Sequence, residues 1–375
     1  MSTQIKKTII ISAINFRNGG PLSVLQDCLI YANNYLSPEY NIIALVHKKE
    51  LFHDIQYITF LEFPKSVKSY FYRLYYEYIH FKKLSYEYKP YLWLSLHDMT
   101  PNVNADVKVV YCHNPSPFYN ITFKDFWLDP KFALFNFFYK YLYGINIQKN
   151  NFVLVQQEWI RKKFEQIYNL KNVIVAHPSI DTIEILKSIE KDPQKVKKYH
   201  FFFPTMPRVF KNIELICEAV KILNNNHISD FEVSLTIDGT ENRYAKSLIN
   251  NYKNVKNINF IGKQTREKVF NLYQITDCLI FPSKLETWGM PITEFKFFGR
   301  PMLLADLEYA HETAGNYSKT IYFDPINPID LANKMEKVIF NQLKMISSQY
   351  IPNQYLYAEN WSELFKLILD PKDDI

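Results

Sequence analysis

One segment joins a predicted strand to a predicted helix and carries two glutamates: Phe281-Pro-Ser-Lys-Leu-Glu-Thr-Trp-Gly-Met-Pro-Ile-Thr-Glu294. The apolar residues from Cys278 to Phe281 predict a short buried strand that ends at the Pro-Ser turn. Proline suits the first position of a helix and glycine the residue past its end. A helix is therefore expected to begin near Pro291 and to end at Gly299, which makes the segment a strand–loop–helix unit.

The loop of this segment has the features of an anion-binding site. Backbone N–H groups around Gly289 and Met290 precede the helix, and a helix N-terminus favours negative charge. Glu286 lies before that position and Glu294 lies in the first turn after it. The two carboxylates could bind hydroxyl groups on both sides of a phosphate, as a nucleotide sugar would require. The alternative is a solvent-exposed loop glutamate and a glutamate that interacts only with the helix dipole.

The rest of the chain alternates between predicted strands and helices, which indicates an α/β protein with parallel sheets. Open sheets of this kind bind ligands at the carboxyl ends of their strands. Strands are predicted at 8–14, 41–46, 92–96, 108–112 and 152–155, then at 200–204, 234–237, 258–261, 278–281 and 302–304; helices in the first half are predicted at 22–36, 68–88, 132–143 and 158–167.

The chain length of 375 residues suits two domains. We expect a first Rossmann-like domain over residues 1–175, a linker over 176–198 and a second Rossmann-like domain over 199–350. The amphipathic residues 351–375 are expected to form a C-terminal helix that packs back on the first domain.

The strand–loop–helix segment resembles the Glu-x7-Glu signature of retaining family 4 glycosyltransferases. Residues 258–262, 269–283 and 299–306 follow the order and spacing of that family. The resemblance implies the GT-B fold, in which two doubly wound Rossmann-like domains face a central cleft. It also implies that Glu286 contacts hydroxyls of the donor sugar and that Glu294 contacts the ribose of the nucleotide.

The same resemblance implies a basic pair for the donor phosphate after the first strand of the second domain. The family pattern is Gly-Arg-x4-Lys, and this chain has Met206-Pro-Arg-Val-Phe-Lys211-Asn. Lys211 matches the lysine, whereas Met206 holds the usual place of the arginine and Arg208 lies only three residues before the lysine. Both cations are predicted to bind the donor. The alternative is a solvated basic pair before a helix.

Two further strand ends carry candidate residues. Gly19 and Gly20 follow the first strand, and their backbone N–H groups could approach a diphosphate or an acceptor closely. By resemblance they border the donor phosphate, with Arg17 as a possible acceptor contact. A tight turn with a solvated arginine is the alternative for this loop.

His113 follows the predicted strand 108–112, where it could bind a sugar hydroxyl and complement developing charge. It is predicted to be catalytic, since the family has a cleft histidine in this region. His97 ends the preceding strand and is a candidate acceptor contact. Structural histidines at strand ends are the alternative for both.

The composition is that of a globular protein rather than a disordered one, and it bears on disulfides and metal sites. Apolar residues make up 47% and charged residues 22% of the chain, which is typical of a globular protein. The four cysteines are far apart, so we expect buried free thiols, a cytoplasmic location and no disulfides. The chain has no Asp-x-Asp sequence and no His/Cys cluster with metal spacing, so neither a metal nor a cofactor is expected.

The net charge of +6 is concentrated in the first half of the chain. Residues 1–175 contain 20 Lys/Arg and 13 Asp/Glu, a net charge of +7. A basic half could attract anionic lipid or a phosphorylated acceptor, and no nucleic-acid-binding motif accompanies it. Residues 70–91 and 120–143 combine aromatic and basic side chains, so peripheral contact with the inner face of an anionic membrane is possible. A buried aromatic stripe is the alternative.

These features together predict a retaining glycosyltransferase that moves a sugar, of hexosyl type, from a nucleotide-sugar donor to a glycan or polyprenol-linked acceptor. Bacterial polysaccharide biosynthesis is the expected setting. A catalytically silent nucleotide- or glycan-binding partner, a GT-B phosphorylase and a GT-B epimerase remain alternatives. A dinucleotide oxidoreductase is not expected, because the chain lacks Gly-x-Gly-x-x-Gly.

Overall fold

The computed structural model describes residues 6–370 except 54, 179–197, 343–349, 352 and 354. The chain divides into two compact units. The first comprises Met1–Pro117, Phe138–Ser179 and Asn353–Ile375; the second comprises Phe118–Phe137 and Ile180–Pro352. Residues 118–137 thus belong to the second unit, although the sequence places them in the first predicted domain. Most of the predicted linker lies outside the described residues.

The first unit contains a parallel sheet of eight strands in the order β14-β7-β6-β5-β4-β1-β2-β3. Its inner strands are short apolar runs that are buried along most of their length, as expected for a parallel sheet covered on both faces. The prediction lacked β3, β7 and β14. The strands are β1 Lys7–Ala13, β2 Tyr40–Val46, β3 Ile58–Glu62, β4 Leu92–Ser95, β5 Val107–Tyr111, β6 Phe152–Val155, β7 Val173–Ala176 and β14 Tyr357–Ala358.

The second unit contains a parallel sheet of six strands in the order β10-β9-β8-β11-β12-β13. The five strands predicted here are all present, and β13 at the sheet edge is an addition. The prediction of an α/β chain with two parallel sheets is confirmed. The strands are β8 Tyr199–Phe203, β9 Phe231–Leu235, β10 Ile258–Phe260, β11 Cys278–Phe281, β12 Met302–Ala305 and β13 Thr320–Phe323.

Helices connect the strands of both sheets. Two π-helical turns adjoin α-helices. Ala32–Leu36 follows the helix Gly19–Tyr31, and Tyr76–His80 joins the helix Tyr70–Tyr75 to the helix Phe81–Tyr88. The α-helical segments are Gly19–Tyr31, Tyr70–Tyr75, Phe81–Tyr88, Phe123–Leu128, Pro130–Gly144, Glu158–Tyr168, Ile213–Asn225, Arg243–Tyr252, Arg266–Ile275, Met290–Lys296, Glu308–Ala314, Pro328–Ile339 and Trp361–Leu369.

The chain returns to the first unit at its C-terminal end. There the helix Trp361–Leu369 packs against the first helix, where the ring of Phe365 stacks on that of Tyr31 at 5.5 Å. The Tyr91 hydroxyl donates to the carbonyl oxygen of Leu369 at 2.7 Å. Among the residues that the structure describes, no helix is long and apolar enough to cross a lipid bilayer.

Candidate active site

The loop after β8 is fixed by one buried asparagine. Asn212 has a left-handed backbone conformation, with φ of 56°, which asparagine tolerates better than most residues. Its side-chain nitrogen donates to the carbonyl oxygens of Pro282, at 3.2 Å, and Pro325, at 2.8 Å. These carbonyls lie in the loops that follow β11 and β13. Asn212 therefore joins three loops at the carboxyl edge of the second sheet.

Lys211 and Glu286 are in direct contact within the second unit. Lys211 Nζ lies 2.5 Å from Glu286 Oε1, and the side chains are only 18% and 12% exposed. The ammonium group also lies 5.5 Å from the ring centre of Phe210, and the backbone N–H of Lys284 donates to the Phe210 carbonyl at 2.7 Å. The structure thus brings together the lysine predicted for the donor phosphate and the glutamate predicted for the donor sugar.

Gly289 shapes the turn between Glu286 and the following helix. It has φ of 87°, and an added Cβ would lie 3.2 Å from Ile292 Cδ1. Any other residue would be strained here. The helix covers Met290–Lys296, so it begins close to the predicted start at Pro291 and ends before Gly299. Trp288 Nε1 donates to Thr293 Oγ1 at 2.9 Å, which braces the turn.

Glu294 is held by protein groups on its own unit. Its side chain is 7% exposed, Arg266 Nη1 lies 3.2 Å from Oε1, and the Tyr273 hydroxyl donates to Oε2 at 3.1 Å. Burial raises the pKa of Tyr273 well above its usual range, and the nearby Glu294 carboxylate adds to this effect. Tyr273 therefore acts as a neutral donor. The predicted contact of Glu294 with the ribose remains a prediction.

Arg208 has a different carboxylate partner from Lys211. Its Nη1 lies 2.9 Å from Asp129 Oδ2 and 3.2 Å from Asp129 Oδ1. Asp129 is 7% exposed, whereas the Arg208 side chain is 46% exposed. Asp129 was not among the predicted site residues, although an aspartate before Pro130 is a signature of a helix N-terminus. The two predicted cations of this loop are therefore anchored separately.

In the first unit, His97 lies inside a buried polar network. Its Nε2 is 3.1 Å from Ser12 Oγ and 3.2 Å from Glu77 Oε1, and Arg73 Nη2 donates to its carbonyl oxygen at 2.6 Å. Burial and the adjacent Arg73 lower the pKa of His97 well below its usual value. Because His97 has no exposed surface, contact with an acceptor would require its neighbours to move.

His113 follows β5 and is held on one side of its ring. Gln156 Nε2 lies 3.3 Å from His113 Nδ1, and the ring lies 4.1 Å from that of Tyr111. Burial lowers the pKa of His113, and Asp98 opposes this shift. Within the described part of the chain, His113 Nε2 is buried and has no hydrogen-bond partner. A neutral ring with a proton on Nε2 could donate to a sugar oxygen.

Asp98, which was not among the predicted site residues, positions the backbone of His113. Asp98 has φ of 70°, which is uncommon for a residue other than glycine. Its carboxylate accepts from the His113 backbone N–H at 2.5 Å and from the hydroxyls of Tyr139, at 2.8 Å, and Tyr143, at 2.9 Å. Burial first, and Asp98 second, raise the pKa of both tyrosines, so they remain donors.

The glycine loop after β1 is open to its surroundings. Gly19 has φ of 70°, and nothing lies within 4 Å of a Cβ added at Gly19 or Gly20. Both glycines and Arg17 are exposed. The loop leaves room for a ligand, and the predicted phosphate and acceptor contacts remain predictions. In the described residues, no group of three His, Cys, Asp or Glu side chains could hold a metal ion.

Comparison with known proteins finds a family match over most of the second unit. Residues 186–354 match the model of the family described as glycosyl transferases group 1. This part of the chain is therefore similar to glycosyltransferase group 1 domains. No curated protein is significantly similar to the chain in sequence.

Solved structures of glycosyltransferases share the fold over nearly the whole chain. Sucrose-phosphate synthase from Thermosynechococcus elongatus has a TM-score of 0.62 at 12% identity, with 90% of each chain covered. A glycosyltransferase from Rickettsia africae has a TM-score of 0.61 at 18% identity, covering 90% of this chain and 89% of that one. HepE from Anabaena, solved with UDP-glucose, has a TM-score of 0.58 at 14% identity, covering 89% and 90%. The chain thus has the fold of GT-B glycosyltransferases.

Proposed function

We propose that this protein is a retaining glycosyltransferase that uses a nucleotide-sugar donor. The observation that carries the proposal is the contact of Lys211 with Glu286 in a region that is similar to glycosyltransferase group 1 domains. A cation for the leaving diphosphate lies beside a carboxylate for the sugar, and both follow parallel strands at one sheet edge. The complex of HepE with UDP-glucose supports a donor of this type.

In the proposed reaction, the bond between the anomeric carbon and the leaving phosphate oxygen breaks, and the electron pair goes to the diphosphate. Lys211, with Arg208, stabilises the charge that develops there. The acceptor oxygen attacks the same face of the sugar, which retains the configuration. Its proton passes to the leaving phosphate oxygen. Glu286 holds the sugar hydroxyls while positive charge grows at the anomeric carbon, and the catalytic role of His113 stays a prediction.

We further propose a glycan or polyprenol-linked acceptor and a role in bacterial polysaccharide biosynthesis. One solved structure with this fold is described as WaaG, a glycosyltransferase involved in lipopolysaccharide biosynthesis, with a TM-score of 0.62 at 12% identity. The basic first half of the chain is consistent with an anionic, lipid-linked acceptor.

A thermal-shift panel of UDP-, GDP- and dTDP-sugars tests the donor site. We expect one nucleotide to raise the melting temperature by several degrees, since a ligand at about 100 times its Kd stabilises by about 2.7 kcal/mol. The shift should persist in EDTA and disappear in Lys211→Ala. Lys253→Ala, which removes an exposed lysine of the same unit, is the matched control.

Three outcomes would contradict this proposal. A shift of equal size in Lys211→Ala would place the nucleotide elsewhere. Turnover that requires inorganic phosphate as acceptor would favour a phosphorylase instead, and nucleotide binding without any transfer would favour a catalytically silent partner.

We also propose that the helical region 70–88 of the first unit lies against an anionic membrane. Its exposed side chains recur at helical spacing, with Phe71 76%, Tyr75 39% and Ile79 52% exposed. Exposed lysines lie before and after this stripe, at positions 65, 68, 82 and 83. Aromatic side chains and lysines in this arrangement suit the interface of an anionic bilayer.

Vesicle sedimentation tests this surface. We expect binding to vesicles that contain anionic phosphatidylglycerol and little binding to pure phosphatidylcholine. Phe71→Ser should weaken the binding about tenfold, since burying a phenylalanine contributes about 1.5–3 kcal/mol. Tyr57→Ser removes a ring that is 69% exposed elsewhere on the same unit and should leave binding unchanged. Equal binding of wild type and Phe71→Ser would reject this surface.

A further inference from the structure

The nucleotide-binding unit includes a segment from the first half of the chain. Residues Phe118–Phe137 belong to the second unit, together with the sheet that carries Lys211 and Glu286. The segment packs on the loop after β8, where the rings of Tyr119 and Phe132 lie 6.3 and 5.1 Å from that of Phe210. The residue next to Lys211 is thus covered by a segment that the sequence places in the first domain.

Asp129 gives this segment a polar contact with the same loop. It is fixed from its own side, because its Oδ1 accepts from the backbone N–H of Phe132 at 3.2 Å and so caps the helix Pro130–Gly144. Both carboxylate oxygens also contact Arg208, and both contacts involve Nη1. A nearly buried, capped carboxylate is a rigid anchor for a side chain that is itself half exposed.

The geometry leaves most of the Arg208 guanidinium available. A guanidinium carries five N–H donors, and the contacts with Asp129 involve Nη1 alone. Among the residues that the structure describes, the three donors of Nε and Nη2 have no hydrogen-bond partner. Arginine binds phosphate oxygens through paired donors held in one plane. An anchored plane loses less conformational entropy on binding than a free side chain does.

We infer that Asp129 is a positioning residue that orients Arg208 toward the diphosphate of the donor. This inference rests on the proposed function, because it assumes that the nucleotide binds beside Lys211. It also explains how Arg208 could serve although Met206 holds the usual place of the family's arginine. The segment 118–137 would then complete the donor site of the second unit.

A double-mutant cycle on the full chain tests this inference, with the affinity for UDP, GDP and dTDP measured by calorimetry. We expect Arg208→Ala to weaken the binding of the preferred diphosphate about tenfold. Asp129→Asn retains a cap for the Phe132 N–H but loses the charge, and should weaken binding about threefold to fivefold. In the Arg208→Ala background, Asp129→Asn should change nothing. An unchanged melting temperature for Asp129→Asn shows that the fold is intact.

Any of the following results of the double-mutant cycle would overturn the inference. Tighter binding in Asp129→Asn would mean that the carboxylate competes with the phosphate for Arg208. Equal losses in both backgrounds would mean a structural role, and no loss in the wild-type background would mean no role. Lys211→Ala separates the two proposals: if it leaves affinity unchanged, or no diphosphate binds the wild-type protein, the proposed donor site itself is wrong.

Discussion

Glu286→Gln is expected to reduce the rate of sugar transfer about 100-fold or more, which is the loss typical when a group that stabilises developing charge is neutralised. The substitution preserves the shape of the side chain and its position 2.5 Å from Lys211 Nζ, but it removes the negative charge. Nucleotide affinity should stay within about threefold of wild type. The substitution removes the negative charge beside Lys211 but leaves the ammonium group that is proposed to bind the diphosphate. The measurement is release of nucleoside diphosphate from the donor that the thermal-shift panel selects.

The matched control is Glu267→Gln, which neutralises an exposed glutamate on the same unit. It should leave the rate and the affinity unchanged. If Glu286→Gln transfers sugar at the wild-type rate, Glu286 has no catalytic role. If it loses nucleotide binding and transfer together, the pair with Lys211 is structural instead.

Glu77→Gln is expected to remove a large pH dependence of stability. The Glu77 side chain is fully buried, and burial raises its pKa to about 8 although Arg73 opposes the shift. The folded protein therefore retains this proton up to about pH 8, while the unfolded chain releases it near pH 4.5. A raised pKa means that the contribution of Glu77 to stability is complete below pH 4.5 and is lost as the pH rises to about 8.

Comparison of Glu77→Gln with wild type isolates the contribution of Glu77 to the pH dependence of stability. The lowered pKa of His97 has the opposite effect on stability, because the neutral form of this residue, which stabilises the folded protein, is lost at acid pH. Arg73 and Ser12 also contact His97. Since both proteins contain these groups, we expect the free energy of unfolding of Glu77→Gln relative to wild type to rise by about 2 kcal/mol or more between pH 5 and pH 9.

Urea denaturation at both pH values measures this difference. Glu87→Gln, on the exposed side of the same helical region, is the control and should show no such change. A constant difference between Glu77→Gln and wild type across this pH range would show that Glu77 does not hold a proton in the folded protein.

Much of the fold was predictable because its strands are apolar runs between helices. Strands β6 and β11 lie at the predicted residues, and the other predicted strands differ from the observed bounds by one to three residues at one or both ends. The missed strand β3 lies at a sheet edge, where part of its side-chain surface remains accessible and the apolar signal is weaker. The missed strand β13 also lies at an edge and has only four residues. The two-residue strand β14 is too short for any pattern to indicate it.

For the candidate site, the sequence indicated individual residues but not the contacts between them. Resemblance to a glycosyltransferase family indicated Lys211 and Glu286, which are 75 residues apart in sequence. No periodicity could place Glu77 beside His97 or Asp98 beside Tyr139, since those contacts join helices to strand ends.

The sequence alone determined the α/β class, the strand–loop–helix units and the residue types available at the strand ends, because hydrophobic periodicity and turn chemistry are local properties of the chain. Only the tertiary structure decided which charged side chains lie in contact with one another. It pairs Lys211 with Glu286, gives Arg208 to Asp129 and buries Glu77 with His97. The reason is physical: ion pairing and burial depend on distance and exclusion of water, and both arise only when remote segments pack together.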